Sequence, residues 1–376
     1  MKKNHYFRIE SSNYIDMIIS GIQQVGIGVK SLKDAWRWYR DNFGMDIRVF
    51  DEEAPANYML QYTGGKARNR HAALAINMMG GGGFEIWQYK DREPVAPGFE
   101  VLAGDLGIFS AKMKSPDVER TYDHFHKMGL TLNGVSRDPA GRKQFFMKDP
   151  YNNIFQVVEA DTWFKLNRRK KTGAAYGAVI GVSDIEKAMK VYSDILGYDT
   201  LVYDETKVWD DLSTVPGGQN KIRRVLLRHE LERKGFFARL FGPTEIELLQ
   251  VTDRDPVSIY KDRYWGDLGF IHLCYDVIGI NKLREKCEAL GFPFTVDSQA
   301  ETGEHVFDMG EAAGHFSYIE DPDGTLIEFV ETHRIPIMKR FGIYLNLSKR
   351  KDKEKPVADR VLRMLKYMKV RERHLT

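Results

Sequence analysis

The chain is poor in cysteine, with only Cys274 and Cys287 among its 376 residues. Two cysteines are too few for a disulfide framework, and this scarcity fits a reducing compartment. The chain also lacks any apolar run that approaches the 18 residues of a membrane-spanning helix, and its first residues lack the apolar stretch of a signal peptide. We therefore expect a cytoplasmic protein with no membrane partner.

Neither sign of charge is in large excess. The 56 lysines and arginines against 53 aspartates and glutamates give a net charge of +3, and the basic residues concentrate in the C-terminal tail instead of forming a stripe along the body. This distribution argues against a nucleic-acid partner. With 43% hydrophobic and 29% charged residues, the composition is that of a globular protein, and the length predicts two domains or more.

What the chain does contain is a duplication. Residues 21–46, GIQQVGIGVKSLKDAWRWYRDNFGMD, are nearly repeated by residues 174–199, AAYGAVIGVSDIEKAMKVYSDILGYD. Val29 aligns with Val182, and the other identical pairs in the two stretches keep the same spacing. A constant spacing over many pairs indicates that the two halves of the chain share descent.

Each half contains two smaller units, because a new series of strands and a helix follows the GDLG sequences at Gly104 and Gly266. Each unit begins with an apolar strand such as VGIGV and continues with a helix whose apolar residues recur at three- and four-residue spacing. A glycine follows each helix, where a left-handed C-cap is expected. These patterns predict four βαβββ modules, at 19–91, 104–160, 174–253 and 266–332.

The modules predict an α+β fold. A single module would leave one face of its sheet bare, so we expect the four modules to pair into two cup-shaped, half-open β-barrels. The predicted organisation is an N-terminal arm at 1–18, a first domain at 19–162, a linker at 163–173, a second domain at 174–332 and a basic tail with a helix at 333–376. The sequence leaves open whether modules pair in chain order, or one with four and two with three.

Three motifs carry a resemblance to a known family: the strand V-G-I-G-V, the helix end Y-x-D-x-x-G and the final D-P-D-G-x-x-I-E. Together they resemble the vicinal oxygen chelate superfamily. That superfamily includes glyoxalase I, methylmalonyl-CoA epimerase, extradiol dioxygenases and bleomycin-resistance proteins. The resemblance covers about residues 19–332. It implies the fold more strongly than the reaction, because proteins with one fold can have different active sites and catalyse different reactions.

The resemblance also implies where metal ligands would lie, on the first and last strands of paired modules. The candidate positions are Gln24, Ser110, Gly177 and His272 on first strands, and Glu85, Gln156, Glu247 and Glu328 on last strands. A catalytic divalent ion needs three or four nitrogen or oxygen ligands with a position left open. Ser110 and Gly177 cannot serve as strong ligands.

The two module pairings imply different metal sites. Pairing in chain order gathers Glu247, His272 and Glu328 in one barrel. Pairing modules one and four gathers a set similar to one glyoxalase I ligand set, namely Gln24, Glu85, His272 and Glu328. Both sets contain His272 and Glu328, which are therefore the foremost candidates. The cofactor expected is one divalent ion, whether Zn, Ni, Co, Mn or Fe.

Such an ion would polarise two neighbouring oxygens of a substrate while a base removes the adjacent proton. The carboxylates Glu85, Glu247 and Glu328 are candidate bases, and Glu328 and Glu85 are predicted catalytic residues. We therefore predict a glyoxalase- or epimerase-like lyase or isomerase that handles a small oxygen-rich molecule through a metal-stabilised enediolate. The sequence leaves open whether the chain forms a homodimer.

Two alternatives stay open. YIEDPDGTLIE, which runs from Tyr318 to Glu328, is similar to the core of the extradiol dioxygenase signature, so that Tyr318 is a further catalytic candidate in an Fe(II) ring-cleaving enzyme. The histidine expected on the first strand of module three is however Gly177, whereas non-haem iron oxygenases use two histidines and a carboxylate. The other alternative is a metal-free binding protein of the bleomycin-resistance kind.

Overall fold

The computed structural model describes residues 17–299, 307–308, 313–338 and 343–375, so most of the predicted N-terminal arm lies outside the described residues. Module one contains β1 (Ile18–Gly28), α1 (Leu32–Phe43), β2 (Ile47–Pro55), β3 (Asn69–Ile76) and β4 (Gly83–Tyr89). Module two contains β5 (Gly107–Ser115), α2 (Val118–Lys127), β6 (Ser136–Arg137), β7 (Lys143–Lys148) and β8 (Ile154–Glu159).

Modules three and four follow the same order. Module three contains β9 (Ala175–Gly181), α3 (Ile185–Met189), β10 (Thr200–Lys207), β11 (Ile222–Arg228), α4 (Ala238–Phe241) and β12 (Glu245–Val251). Module four contains β13 (Gly269–Ile278), α5 (Ile280–Ala289), β14 (Val296–Asp297), β15 (Phe307–Asp308), β16 (Ala313–Glu320) and β17 (Leu326–Met338). The tail adds β18 (Ile343–Asn346), α6 (Asp359–Leu362) and short 3-10 turns at Arg363–Met368 and Glu372–His374.

The long helix α1 forms where the sequence pattern places it. Ser31 caps its N-terminus by accepting a hydrogen bond from the backbone of Asp34, and Gly44 ends it in the left-handed conformation, with φ of 65°. The buried side chains form one stripe and are Leu32, Ala35, Trp36, Tyr39 and Phe43. This stripe packs the helix onto the sheets beneath it.

The strand order answers the question of module pairing. One sheet runs β14-β16-β17-β13-β1-β4-β3-β2, with β15 beside β16 and β18 beside β17, and the other runs β10-β11-β12-β9-β5-β8-β7-β6. Modules one and four therefore share the first barrel, and modules two and three share the second barrel. The predicted α+β class with two half-open barrels is confirmed. The boundaries 19–162 and 174–332 mark the duplicated halves, whereas each barrel takes one module from each half.

Two equivalent hydrogen bonds explain why the Y-x-D and D-P motifs occur together. The hydroxyl of Tyr39 on α1 donates to Asp149 at 2.7 Å, and the hydroxyl of Tyr192 donates to Asp321 at 2.8 Å. Each bond joins the helix region of one module to the D-P turn of a module in the other barrel. The two barrels are thus held together by matched buried contacts.

The C-terminal tail docks on the body of the chain. Leu362 and Leu365 are buried, and the backbone of Val370 donates to the carbonyl of Asp46 at 2.8 Å. Glu372 accepts hydrogen bonds from two arginines of α1 at 2.6 Å. Among the described residues, no helix has the combined length and apolarity needed to cross a bilayer.

Candidate metal centre

Four neighbouring strands in the middle of the first sheet each present one polar side chain to the interior of the first barrel. In the spatial order β4, β1, β13 and β17, these side chains are Glu85, Gln24, His272 and Glu328. The strand register supports their convergence. Cys274, two residues after His272 on β13, lies opposite Gln24 on one neighbouring strand and opposite Glu328 on the other. Adjacent strands lie only about 4.8 Å apart, so a curled sheet brings such side chains together.

The donor atoms of this group lie at the spacing of ligands around one ion. His272 Nε2 is 3.2 Å from Glu85 Oε2 and 3.1 Å from Glu328 Oε2, and the three ligand atoms lie within 4.8 Å of one another. Ligands bound about 2.1 Å from a metal are separated from one another by roughly 3 Å. We call Glu85, His272 and Glu328 the carboxylate–histidine cluster.

Gln24 adds a fourth donor at the same point. Its Nε2 donates to Glu85 Oε2 and to Glu328 Oε2, both at 3.2 Å, while its Oε1 is buried without a hydrogen-bond partner. The amide nitrogen and oxygen of a glutamine exchange places by a half-turn of the amide, which would direct Oε1 to the same point. Two carboxylates, an imidazole and an amide oxygen form a suitable donor set for a divalent ion.

Several buried polar atoms of the cluster lack hydrogen-bond partners, which a bound metal explains better than a closed hydrogen-bond network does. Both ring nitrogens of His272 are buried and lack a hydrogen bond of good geometry, although Nε2 lies near two carboxylates. Buried polar atoms without partners are rare in folded proteins, and each is a sign of an ion, a water or a functional role. The residues present therefore fit the divalent ion that the superfamily implies.

The cluster requires a positive charge. Burial lowers the pKa of His272, but Glu328 and Glu85 outweigh burial and raise that pKa to about 10. For Glu328 the two effects are reversed. Burial raises its pKa, but the neighbouring His272 has the larger effect and lowers the pKa overall. Two carboxylates that face each other in a largely buried site are stabilised by a positive charge between them, which a protonated imidazole or a bound metal supplies.

Gly26 makes room for the imidazole. A Cβ on this residue would lie 2.6 Å from Cε1 of His272, closer than side-chain contacts allow. The first glycine of the V-G-I-G-V strand is therefore part of the site, although its backbone carries no unusual torsion. The sequence marks it only as part of a strand motif.

Tyr318 and Trp265 pack on the other faces of the imidazole. The ring centre of Tyr318 is 5.6 Å from that of His272 with the planes at 80°, and the Trp265 ring is stacked at 6.2 Å. Burial and Glu328 raise the pKa of Tyr318 well above its usual value, so its hydroxyl stays protonated and interacts with Glu328. Tyr318 can therefore position Glu328 but cannot serve as a base near neutral pH.

Glu247 does not join the cluster. It lies on β12 in the second barrel, because modules one and four pair, and the site expected for pairing in chain order does not assemble. Lys112 Nζ is 2.5 Å from Glu247 Oε2 and 2.8 Å from Glu245 Oε1, and Arg224 also binds Glu247. Side-chain cations thus neutralise the carboxylates where a metal would otherwise be needed.

Residues 21–157 match a family model described as the glyoxalase/bleomycin resistance protein/dioxygenase superfamily, and residues 178–308 match a second model with the same description. The chain belongs to this superfamily. The resemblance seen in its motifs is confirmed, and the two matches correspond to the duplicated halves. None of the curated protein sequences matches the chain significantly.

Solved structures of this superfamily share the fold. Glyoxalase I from Zea mays is 13% identical with a TM-score of 0.51, over 83% of this chain and 92% of that chain. A putative dioxygenase from Bacillus subtilis subsp. subtilis str. 168 is 13% identical with a TM-score of 0.53, over 84% of this chain and 86% of that chain. At such low identities, the likeness shows the fold alone.

Proposed function

We propose that the chain is a divalent-metal-dependent enzyme of the lyase or isomerase type, which binds a small substrate through two neighbouring oxygens and removes a proton from the carbon beside them. The observation that carries this proposal is the convergence of Glu85, His272 and Glu328, with ligand atoms within 4.8 Å of one another. Gln24 completes a set of four donors from four adjacent strands.

The four donors would hold the ion, and the ion would supply the Lewis acidity that polarises the substrate oxygens. Glu85, Gln24 and Glu328 line a cavity, so a substrate can reach the cluster from that side. Both carboxylates line the cavity, with side chains 9% exposed for Glu328 and 12% exposed for Glu85, and the difference between them is that Tyr318 and Cys274 interact with Glu328. We assign Glu85 as the base that takes the substrate proton, and Glu328 as the more rigid ligand.

The donor set also ranks the alternatives. A ring-cleaving Fe(II) enzyme would use two histidines and one carboxylate, whereas the cluster offers one histidine, two carboxylates and an amide. A metal-free binding protein has no need for a buried carboxylate and a partly buried carboxylate directed at each other, since such a pair is costly without a cation. The cluster therefore supports the lyase or isomerase reaction over both alternatives.

The test is a measurement of bound metal by mass spectrometry after dialysis against limiting divalent ion. We expect one ion per chain for the wild-type protein, and an affinity at least tenfold lower for His272→Ala, which removes a ligand, and for Glu328→Gln, which replaces a charged ligand oxygen by a neutral amide. His124→Ala is the matched control, since His124 lies on α2 and bonds to Asn42 away from the cluster. Equal metal binding by His272→Ala and the wild-type protein would refute the proposal.

A further inference from the structure

The cavity beside the carboxylate–histidine cluster is mainly apolar. Twelve of its lining residues are apolar and five are polar, and three of the five polar residues are Gln24, Glu85 and Glu328. The other two polar residues, Gln23 and Thr332, are uncharged. Within the described part of the chain, no lysine or arginine lines this cavity.

This lining disfavours a charged group on the part of the substrate that does not face the cluster. An anionic group on the part of the substrate that lies away from the cluster would lose its hydration and meet no lysine or arginine among the lining residues. A phosphate or a peptide carboxylate would therefore be bound poorly. An uncharged hydrocarbon group gains from the same surroundings, because its burial removes apolar surface from water.

The cavity volume limits the size of that group. The volume is about 100 Å³. An apolar cavity of roughly 150 Å³ is known to accommodate benzene. The cavity is smaller than that, so it has room for at most one ring or a short alkyl chain.

One wall of the cavity comes from outside the paired modules one and four. Phe237, Leu240 and Phe241 belong to the segment around α4 in module three, and Leu365 and Met368 belong to the C-terminal tail. These five residues form what we call the apolar wall. They give the cavity a surface that the two modules of the first barrel do not provide.

The two parts of the apolar wall are joined to each other. The backbone of Gly235 donates to the carbonyl of Glu354 at 3.0 Å, and the backbone of Val357 donates to the carbonyl of Phe236 at 2.9 Å. Arg239 and Asp359 add an ion pair at 3.0 Å. The wall is therefore a fixed part of the cavity and not a loose end of the chain.

We propose that the site takes a substrate of two parts, a pair of neighbouring oxygens that faces the cluster and an uncharged apolar group of about one ring that lies against the apolar wall. This inference rests on the proposed function for the oxygen pair. The inference of an apolar group has independent support from the lining residues and the volume of the cavity.

The experiment uses three hydroxamates, which bind a metal through two neighbouring oxygens and differ only in their bodies. The probes are acetohydroxamate, benzohydroxamate and 4-carboxybenzohydroxamate, each titrated calorimetrically into the cobalt-loaded full chain. We expect benzohydroxamate to bind at least tenfold more tightly than acetohydroxamate, and the added carboxylate to abolish most of that gain. Equal affinities, or tightest binding of the charged probe, would overturn the inference.

Variants test the apolar wall. Leu365→Ala and Met368→Ala should each weaken benzohydroxamate at least threefold and leave acetohydroxamate unchanged. Tyr367→Ala is the matched control, because Tyr367 lies between them and is 70% exposed. Unchanged benzohydroxamate binding in both wall variants would refute the contribution of the tail.

A readout without metal separates this inference from the proposed function. In metal-free protein, toluene should shift the methyl resonance of Met368 in a spectrum of methyl-labelled methionines. A chain that takes up no cobalt but shows this shift would refute the proposed function and retain the apolar site. A chain in which toluene leaves the Met368 resonance unmoved would refute the apolar site itself.

Discussion

At the scale of single residues, the site depends on one missing side chain as much as on those present. His272 is fully buried, and its imidazole lies over Gly26 on the neighbouring strand, where any Cβ would meet the ring. The ring is further bounded by Trp265 and Tyr318. Packing on these sides fixes the direction of Nε2 toward the carboxylates, which is the kind of support that metal ligands need.

Gly26→Ala should therefore damage the metal site without unfolding the barrel. The added methyl would lie 2.6 Å from Cε1 of His272 and would displace the ring. We expect metal affinity to fall at least tenfold while the chain keeps a cooperative thermal transition, both measured on the same preparation. Gly98→Ala is the control, since a Cβ there meets no atom within 4 Å. Wild-type affinity in Gly26→Ala would show that the ring has room to move.

At the scale of strands and helices, the two barrels stabilise their buried carboxylates differently. On β12 of the second barrel, burial raises the pKa of Glu247, but Arg224 and Lys112 outweigh burial and lower it from 4.5 to about 2. The ion pairs are fully buried, with Lys112 on β5 directly between the two carboxylates of β12. These side chains make the second barrel a charge-balanced core.

The second barrel should accordingly lose stability in acid. Because the folded-state pKa of Glu247 lies below the unfolded value, its contribution to the free energy of unfolding is complete above about pH 4.5 and is lost as pH falls toward 2. The shift corresponds to stability on the order of 3 kcal/mol. Urea unfolding at several pH values should show this loss in the wild-type protein.

Glu247→Gln provides the comparison. At pH 7 it should be less stable than the wild-type protein by about 3 kcal/mol, because Lys112 and Arg224 each lose one of their two carboxylate partners. The difference should shrink as pH falls below 4.5. Glu205→Gln on β10 is the control, because Glu205 is exposed. Parallel pH curves for Glu247→Gln and the wild-type protein would contradict this account.

The elements also show how far the sequence alone can predict this molecule. Repeated strand and helix periods, together with the glycine after each helix, were sufficient to place four modules and their fold class. The resemblance to the superfamily is what places Glu85, His272 and Glu328 among the candidate ligands. The buried role of Lys112 was not predicted, since a lysine on an alternating strand is normally expected to face solvent.

At the scale of the whole molecule, the duplication allows two ways of pairing the modules, and local sequence patterns do not distinguish between them. The first strand of each module offers a similar apolar edge, so β1 fits β5 or β13 equally well by sequence, and only the complete packing selects β13. The apolar wall was missed for the same reason. Leu365 reaches the cavity from more than 300 residues away from Gln24, and no local pattern predicts such a contact.

The pairing gives the two barrels different properties. The first barrel holds the carboxylate–histidine cluster beside an apolar cavity, and the second barrel holds the balanced ion pairs around Lys112. We therefore expect one metal ion per chain, in the first barrel. Glu247 is equivalent in sequence to Glu85 but lies in the second barrel, so it has no part in that site.

The most direct test is a crystal of the full chain grown with Co²⁺, with diffraction data recorded on both sides of the cobalt absorption edge. We expect one anomalous peak per chain, about 2.0 to 2.2 Å from His272 Nε2 and from carboxylate oxygens of Glu85 and Glu328. A peak beside Glu247 in the second barrel, or a first barrel with no peak at saturating cobalt, would contradict this expectation.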